Sequence, residues 1–257
     1  MDSGPSTSSG FPRPRARETE ALANRIYDRY VTHGFVANGI IPIERVIQEL
    51  GDASIYALPG LKRFFAEGAL FRNRRPFGRK FIVFVDGGIA DSAEDSYRMV
   101  LAEELGHLIV HQPIVAAVKT ISDFFDVHRR SDWLQLEDDA RAVGRAILMP
   151  SALVEQLSSV CYRGVVRDSG FGDYQAFWGR LRFLLSRALV VPEDDVEQRI
   201  RTYPGGVQDR IVASFADRSL ELHPTRQSIR KTRQRAEEQV ETSPLHQLEL
   251  FESHDGL

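Results

Sequence analysis

Most of the chain shows the spacing of apolar residues that is typical of amphipathic helices. The clearest case runs from Tyr97 to His111, where apolar residues surround a single polar stripe. The stripe contains Glu103, His107 and His111, which are four residues apart and therefore lie on one helix face, with Glu104 beside them. The pattern predicts a buried helix that carries two imidazoles and two carboxylates.

The same periodicity predicts the other elements. Helices are expected at residues 18–33, 43–50, 132–148, 152–159, 173–188 and 193–201, and strands at 54–58 and 80–86. Gly87-Gly88 is expected to close the second strand, residues 60–71 are ambiguous, and the chain after Pro113 is expected to form a long loop over the site. The predicted fold class is α+β: a mostly helical domain with a small β-sheet, followed by C-terminal helices and a polar tail.

Composition divides the 257 residues into three parts. Residues 1–17 are rich in Ser, Gly, Pro and Arg and are expected to be disordered, and residues 204–257 form a polar, largely disordered tail with a basic run at 226–235. Residues 18–203 form the predicted domain, including the C-terminal helices at 151–203. The net charge of −3, the lack of an apolar run near the roughly 20 residues of a membrane helix and the lack of a signal peptide predict a cytoplasmic protein with no membrane partner.

The polar stripe is the best candidate for chemistry, because charges on a buried helix are usually paired or bound to a metal. A zinc-protease helix reads His-Glu-x-x-His: the histidines hold the metal and the glutamate takes a proton from metal-bound water. Here Glu104 and His107 stand in the expected places, and Glu103 replaces the first histidine. The single Cys161 excludes a cysteine zinc site. The other histidines are predicted to lie at the surface: His33, His128, His223, His246 and His254.

Two helices together resemble the ImmA/IrrE metallopeptidase family. Its active-site helix reads Arg-x-x-x-Ala-His-Glu-Leu-Gly-His-Leu-x-x-His, and the matching residues are Arg98, Ala102, Glu104, Leu105, Gly106, His107, Leu108 and His111. Its second helix reads Glu-x-x-Ala-Asn-x-Phe-Ala-x-x-Leu-Leu-Met-Pro. Residues 137–150 match in Glu137, Ala140 and the Leu-Met-Pro ending, but carry Arg141 for the Asn and Val143 for the Phe. The resemblance covers about residues 20–202.

The resemblance implies a zincin-like fold and a role for each matching residue. His107 and Glu137 would be zinc ligands, with Asp139 competing for the carboxylate role. Glu104 would be the general base and would later give its proton to the leaving amine. His111 would orient a ligand or the transition state. Substrates in this family are often DNA-binding repressors, so a protein partner of that kind is expected.

Three arrangements are open for Glu103. It binds the metal with His107 and Glu137, in which case the second anionic ligand makes the bound water less acidic and favours harder metals such as Mn²⁺. Alternatively, His107 and His111 form the nitrogen pair, and Glu103 and Glu137 flank the metal. In the third arrangement there is no metal, Glu103 pairs with His107 or an arginine, and the chain is an inactive, protein-binding regulatory module. Nucleic-acid binding through residues 176–202 and the basic run is a weaker hypothesis.

Overall fold

The computed structural model describes residues 15–32, 40–64, 66–75, 77–169, 174–202 and 209. The chain divides into two compact units, Met1–Gln208 and Asp209–Leu257. Apart from Asp209, the second unit lies outside the described residues, and so do residues 1–14 and the basic run at 226–235. The predictions made for those segments, and for His33, His223, His246 and His254, therefore lie outside the described residues as well.

The first unit is mostly helical with one small sheet, so the α+β class predicted from the sequence is confirmed. Its elements, in chain order, are α1 (Ala16–Thr32), α2 (Ile43–Leu50), β1 (Ala53–Leu58), a 3-10 helix (Leu61–Phe64), β2 (Gly68–Arg72), β3 (Phe81–Asp86), α3 (Gly87–Ser92), α4 (Glu94–Val110), α5 (Gln112–Val115), α6 (Ile121–His128), α7 (Trp133–Leu148), α8 (Ser151–Ser169), α9 (Tyr174–Leu189) and α10 (Glu193–Thr202). Within the described residues no helix is both long enough and apolar enough to cross a lipid bilayer.

Local structure differs from the sequence prediction in three places. The ambiguous segment resolves into the 3-10 helix and β2, and the expected loop after Pro113 contains α5 and α6. Helix α6 forms there because Thr120 and Asp123 make a reciprocal capping box. Gly87 and Gly88 follow the end of β3, as predicted, but they also begin a helix, since the Asp86 carboxylate accepts a hydrogen bond from Gly88 N at 3.0 Å.

The sheet has the strand order β1-β3-β2, with β1 parallel and β2 antiparallel to β3. Asn73 N donates to Lys80 O, and Asp86 N donates to Glu67 O, each at 2.9 Å. In an antiparallel pair the hydrogen-bonded residues alternate, so Gly68 and Leu70 direct their backbone N–H and C=O groups away from β3. Within the described chain no backbone hydrogen bond is formed at the outer edge of β2 by the N–H groups of these two residues, whereas Arg72 N donates to Val118 O at 2.8 Å.

Helices α4 and α7 pack so closely that the backbone of each contacts a glycine of the other. A Cβ atom added to Gly144 would lie 2.7 Å from the carbonyl carbon of Ala102, and one added to Gly106 would overlap the backbone of Ala140. The two glycines, one on each helix, thus let the helices approach more closely than side chains would permit. Residues next to this contact, such as Glu103 on α4 and Arg141 on α7, are brought within reach of each other.

The C-terminal helices close over the end of α7. Arg199 on α10 is buried, its Nε donates to the backbone oxygen of Met149 at 2.9 Å, and its guanidinium pairs with Glu20 on α1. Asp195, on the same helix, accepts hydrogen bonds from Arg141 and Arg145 of α7. Polar contacts in the interior thus join α1, α7 and α10 beneath the site.

Candidate functional site

A cavity of about 270 Å³ is bordered by α4, α7, β2 and the α5–α6 segment. Its polar lining consists of Glu67, Glu103, Glu104, His107, His111, His128, Glu137 and Arg141. Its apolar lining consists of Ala66, Ala69, Leu70, Val100, Ile114, Val115, Val118, Phe124, Val127, Trp133 and Leu136, with Gly68 between the two groups. A few convergent polar groups in a mostly apolar concavity are typical of ligand sites.

His107 is held from three directions. Its Nε2 atom lies 3.0 Å from Glu137 Oε1, and its Nδ1 atom lies 3.1 Å from His111 Nδ1. The ring of Trp133 lies parallel to the imidazole within 5°, with the centroids 6.0 Å apart. Burial lowers the pKa of both His107 and His111 to about 4, so both rings are neutral at neutral pH. One Nδ1–H then donates to the other Nδ1.

Glu103 lies between two partners. It is in hydrogen-bond contact with Glu137, and its Oε2 atom is 3.5 Å from Arg141 Nη1. Burial, followed by the nearby charge of Glu137, raises the pKa of Glu103 to about 7, and burial also raises the pKa of Glu137. The two carboxyls are therefore costly to ionise together, and a proton or another positive charge stabilises the pair.

Glu104 points towards the sheet. Its side chain is so close to Gly68 on β2 that a Cβ atom there would overlap the Oε1 atom, so any larger residue would force the Glu104 and Val100 side chains to shift. Glu104 is buried, and that burial, with the charges of Glu137 and Glu103, raises the pKa of its carboxyl well above the ordinary value. This carboxyl thus lies over the face of β2 at Gly68.

The structure brings most of the predicted residues to one place. Glu103, Glu104, His107, His111 and Glu137 all line the cavity, whereas the half-buried Asp139 does not. Glu137 rather than Asp139 is therefore the α7 carboxylate that contacts His107. Of the three arrangements considered for Glu103, pairing with an arginine is seen, and the same carboxyl also contacts Glu137.

Three residues of the site were not predicted. His128 was expected at the surface, but it is half-buried, and its ring lies 3.9 Å from that of Trp133 and 4.0 Å from that of Phe124. The surface prediction was wrong because α6 folds over the cavity instead of forming a loop. Trp133 gave no sequence signal, but Arg141 lies four residues after Glu137, on the same helix face, and could have been identified.

The side chains of the site fit a metal ion only in part. Among the described residues, no group of three or more His, Cys, Asp or Glu side chains is arranged to hold one. Two donors do fit: His107 Nε2 and Glu137 Oε1 are 3.0 Å apart, close to the roughly 3.3 Å between two ligands about 2.0 Å from a tetrahedral zinc. Glu103 adjoins this pair but contacts Glu137 and Arg141. The donors present thus supply two ligands and an adjacent third carboxyl.

Comparison of the chain with models of protein families, with curated proteins and with solved structures gives no match.

Proposed function

We propose that the chain is a zincin-like, metal-dependent endopeptidase of the ImmA/IrrE type that hydrolyses a peptide bond in a regulatory protein such as a DNA-binding repressor. The observation that carries the proposal is the 3.0 Å contact between His107 Nε2 and Glu137 Oε1, with the Glu103 carboxyl beside it. Imidazole and carboxylate from two helices meet in one cavity, as ligands of a catalytic metal do.

His107, Glu137 and Glu103 would hold the cation, zinc or manganese. The bound cation supplies a Lewis acid for the peptide carbonyl and lowers the pKa of the attacking water. The raised pKa values of Glu103 and Glu137 support a cation there, because a divalent charge favours the ionised form of both groups. Two carboxylates and one imidazole make manganese a better competitor than it would be at a two-histidine site.

Glu104 is the proposed general base. It takes a proton from the water that attacks the peptide carbonyl and later donates that proton to the leaving amine. Its closeness to Gly68 supports this role, because a peptide that lies beside β2 would pass near the carboxyl. His111 supports His107 through the contact between their Nδ1 atoms, which leaves His107 Nε2 directed towards Glu137.

The open edge of β2 supports a peptide as the substrate. Gly68 and Leu70 line the cavity and direct backbone N–H and C=O groups away from β3. An extended peptide that lies beside β2 would form main-chain hydrogen bonds with them. Val115, Val118 and Phe124 offer an apolar surface for a side chain of that peptide.

Metal analysis and peptide cleavage test the proposal. The purified protein is analysed for bound zinc and manganese and incubated with a mixed peptide library, and the products are read by mass spectrometry. Wild type is expected to bind the cation and to cut, Glu104→Gln to keep the cation and lose cleavage by at least about a hundredfold, and His107→Ala to lose both. Asp138→Asn, an exposed carboxylate next to Glu137, is the matched control and should behave as wild type.

A catalytically inactive, protein-binding regulatory module is the second candidate function. It is favoured by the Glu103–Arg141 ion pair, because an arginine already neutralises one carboxylate of the site, and by the lack of a three-donor metal group among the described residues. In that case the wild type binds no metal even in the presence of excess zinc and manganese, and His107→Ala leaves its binding partners unchanged. Cleavage that is lost in Glu104→Gln would eliminate this candidate.

A further inference from the structure

Arg141 lies between the candidate site and the C-terminal helices. On one side its Nη1 atom is 3.5 Å from Glu103 Oε2. On the other side its Nε and Nη2 atoms donate to the two carboxylate oxygens of Asp195, at 3.1 and 3.0 Å. The paired hydrogen bonds fix the plane of the guanidinium, so its remaining nitrogen is directed at Glu103.

Asp195 does not fully neutralise Arg141, because it also pairs with Arg145, so Arg141 can interact with the charge of Glu103. Asp195 is almost fully buried and also accepts a hydrogen bond from Arg145 Nε at 2.7 Å. The cluster of Glu103, Arg141, Arg145 and Asp195 therefore contains two acidic and two basic groups, and Glu137 contacts Glu103 from outside it. Both arginines share Asp195, but of the two only Arg141 also contacts Glu103.

We propose that Arg141 is a positioning residue that cancels the charge of Glu103 and thereby limits the affinity of the cavity for a divalent cation. The pair acts as a neutral unit beside His107 and Glu137. Without Arg141 the cavity gains a full negative charge a few ångströms from the cation, which would tighten binding and make bound water less acidic. This inference rests on the proposed function, because it concerns the cation of that site.

Cation affinity of the full chain, measured by titration calorimetry with Mn²⁺ and Zn²⁺ at pH 8, tests the proposal. Arg141→Gln is expected to bind both ions about tenfold more tightly than wild type, the size that one unit charge about 6 Å from a divalent cation gives at a dielectric constant of roughly 80. Arg141→Lys keeps the charge and should stay within about threefold of wild type. A residue with a merely structural role would lose affinity, not gain it.

Arg145→Gln is the matched control, because it removes the same charge from the same helix and the same Asp195 but has no contact with Glu103. Its affinity is expected to stay within about twofold of wild type. Glu103→Gln should weaken binding in wild type and weaken it further in the Arg141→Gln background, where the carboxylate is unopposed.

The outcomes separate this inference from the proposed function. If wild type binds the cation and Arg141→Gln binds it equally or more weakly, the role assigned to Arg141 is wrong and the metal site stands. An equal gain in Arg141→Gln and Arg145→Gln also overturns it, because the effect is then general charge and not the pair. Absence of cation binding in every variant overturns both.

Discussion

Single residues decide the chemistry of this site through burial. Glu103, Glu104 and Glu137 lie together in a cavity whose walls remove water, and burial raises the pKa of each. The same burial lowers the pKa of His107 and His111 to about 4, so the imidazoles are available as neutral donors. Carboxyls that hold protons therefore lie beside imidazoles that release them.

The pH dependence of stability follows from Glu103. Its pKa rises from 4.5 to about 7 on folding, so its contribution to the free energy of unfolding is complete below pH 4.5 and is lost as the pH rises through 7. The Glu103→Gln variant has no carboxyl at this position and therefore does not lose this stability as the pH rises. In the presence of a chelator, its stability relative to wild type should therefore increase by about 2 kcal/mol between pH 5 and pH 7.5.

Urea unfolding of both proteins at several pH values measures this difference. The contributions of His107 and His111 run in the opposite direction, rising between about pH 4 and 6.5. Burial is their largest cause and is present in both proteins, so most of these contributions cancel in the comparison. A stability difference that stays constant over the pH range would show that Glu103 ionises normally in the folded protein.

At the residue scale, the sequence predicted which polar groups meet but not how they pair. The four-residue spacing of Glu103, His107 and His111 placed them on one helix face, and α7 supplied Glu137. The pairing of Glu103 with Arg141 depends on the distance between two helices, which no local pattern encodes. His128 was misplaced for the same reason: its burial depends on α6 crossing the cavity.

At the scale of elements, the α4–α7 contact determines the site. Gly106 and Gly144 replace side chains at the crossing, so Glu103 and His107 reach Glu137 and Arg141 directly. The sequence predicted both helices, because their apolar periodicity is strong. It did not predict their close approach, since a glycine inside a helix is usually only unfavourable, by about 1 kcal/mol relative to alanine.

Gly144→Ala tests that contact. Helix propensity alone would stabilise the variant, but the new methyl group meets the Ala102 carbonyl carbon at 2.7 Å and forces the helices apart. We expect a net loss of about 2 kcal/mol in the free energy of unfolding and weaker cation binding. Thermal and urea unfolding measure the first effect, and calorimetry measures the second.

Gly164→Ala is the matched control for that substitution. Gly164 lies inside α8, and no atom comes within 4 Å of a Cβ added there. The variant should gain roughly 0.5–1 kcal/mol from helix propensity and bind the cation as wild type does. Equal effects of the two substitutions would mean that the close approach of α4 and α7 has no energetic weight.

At the scale of the whole first unit, one arginine connects the two ends of the helical sequence. Arg199 on α10 pairs with Glu20 on α1 and donates to the Met149 backbone at the end of α7, all in the interior. Arg199→Met leaves the Glu20 carboxylate without this partner and should lower the free energy of unfolding by about 3 kcal/mol, measured by urea unfolding.

Arg201→Met is the control, because Arg201 is exposed and pairs with the half-buried Glu197 on the same helix. Its effect should stay below about 0.5 kcal/mol. Similar losses in both variants would indicate that Arg199 contributes only as a surface charge. No local pattern predicts this long-range pair, since its partners are 179 residues apart.

The backbone contact between α4 and α7 has a consequence for how such a pocket changes over evolutionary time. Because glycine and main-chain atoms set the spacing of the two helices, the side chains at positions 103 and 137 contribute little to holding the two helices together. Nitrogen donors can be exchanged for oxygen donors, and neutral groups for charged ones, without rebuilding the interior. Such a pocket is suited to engineering ion selectivity one substitution at a time.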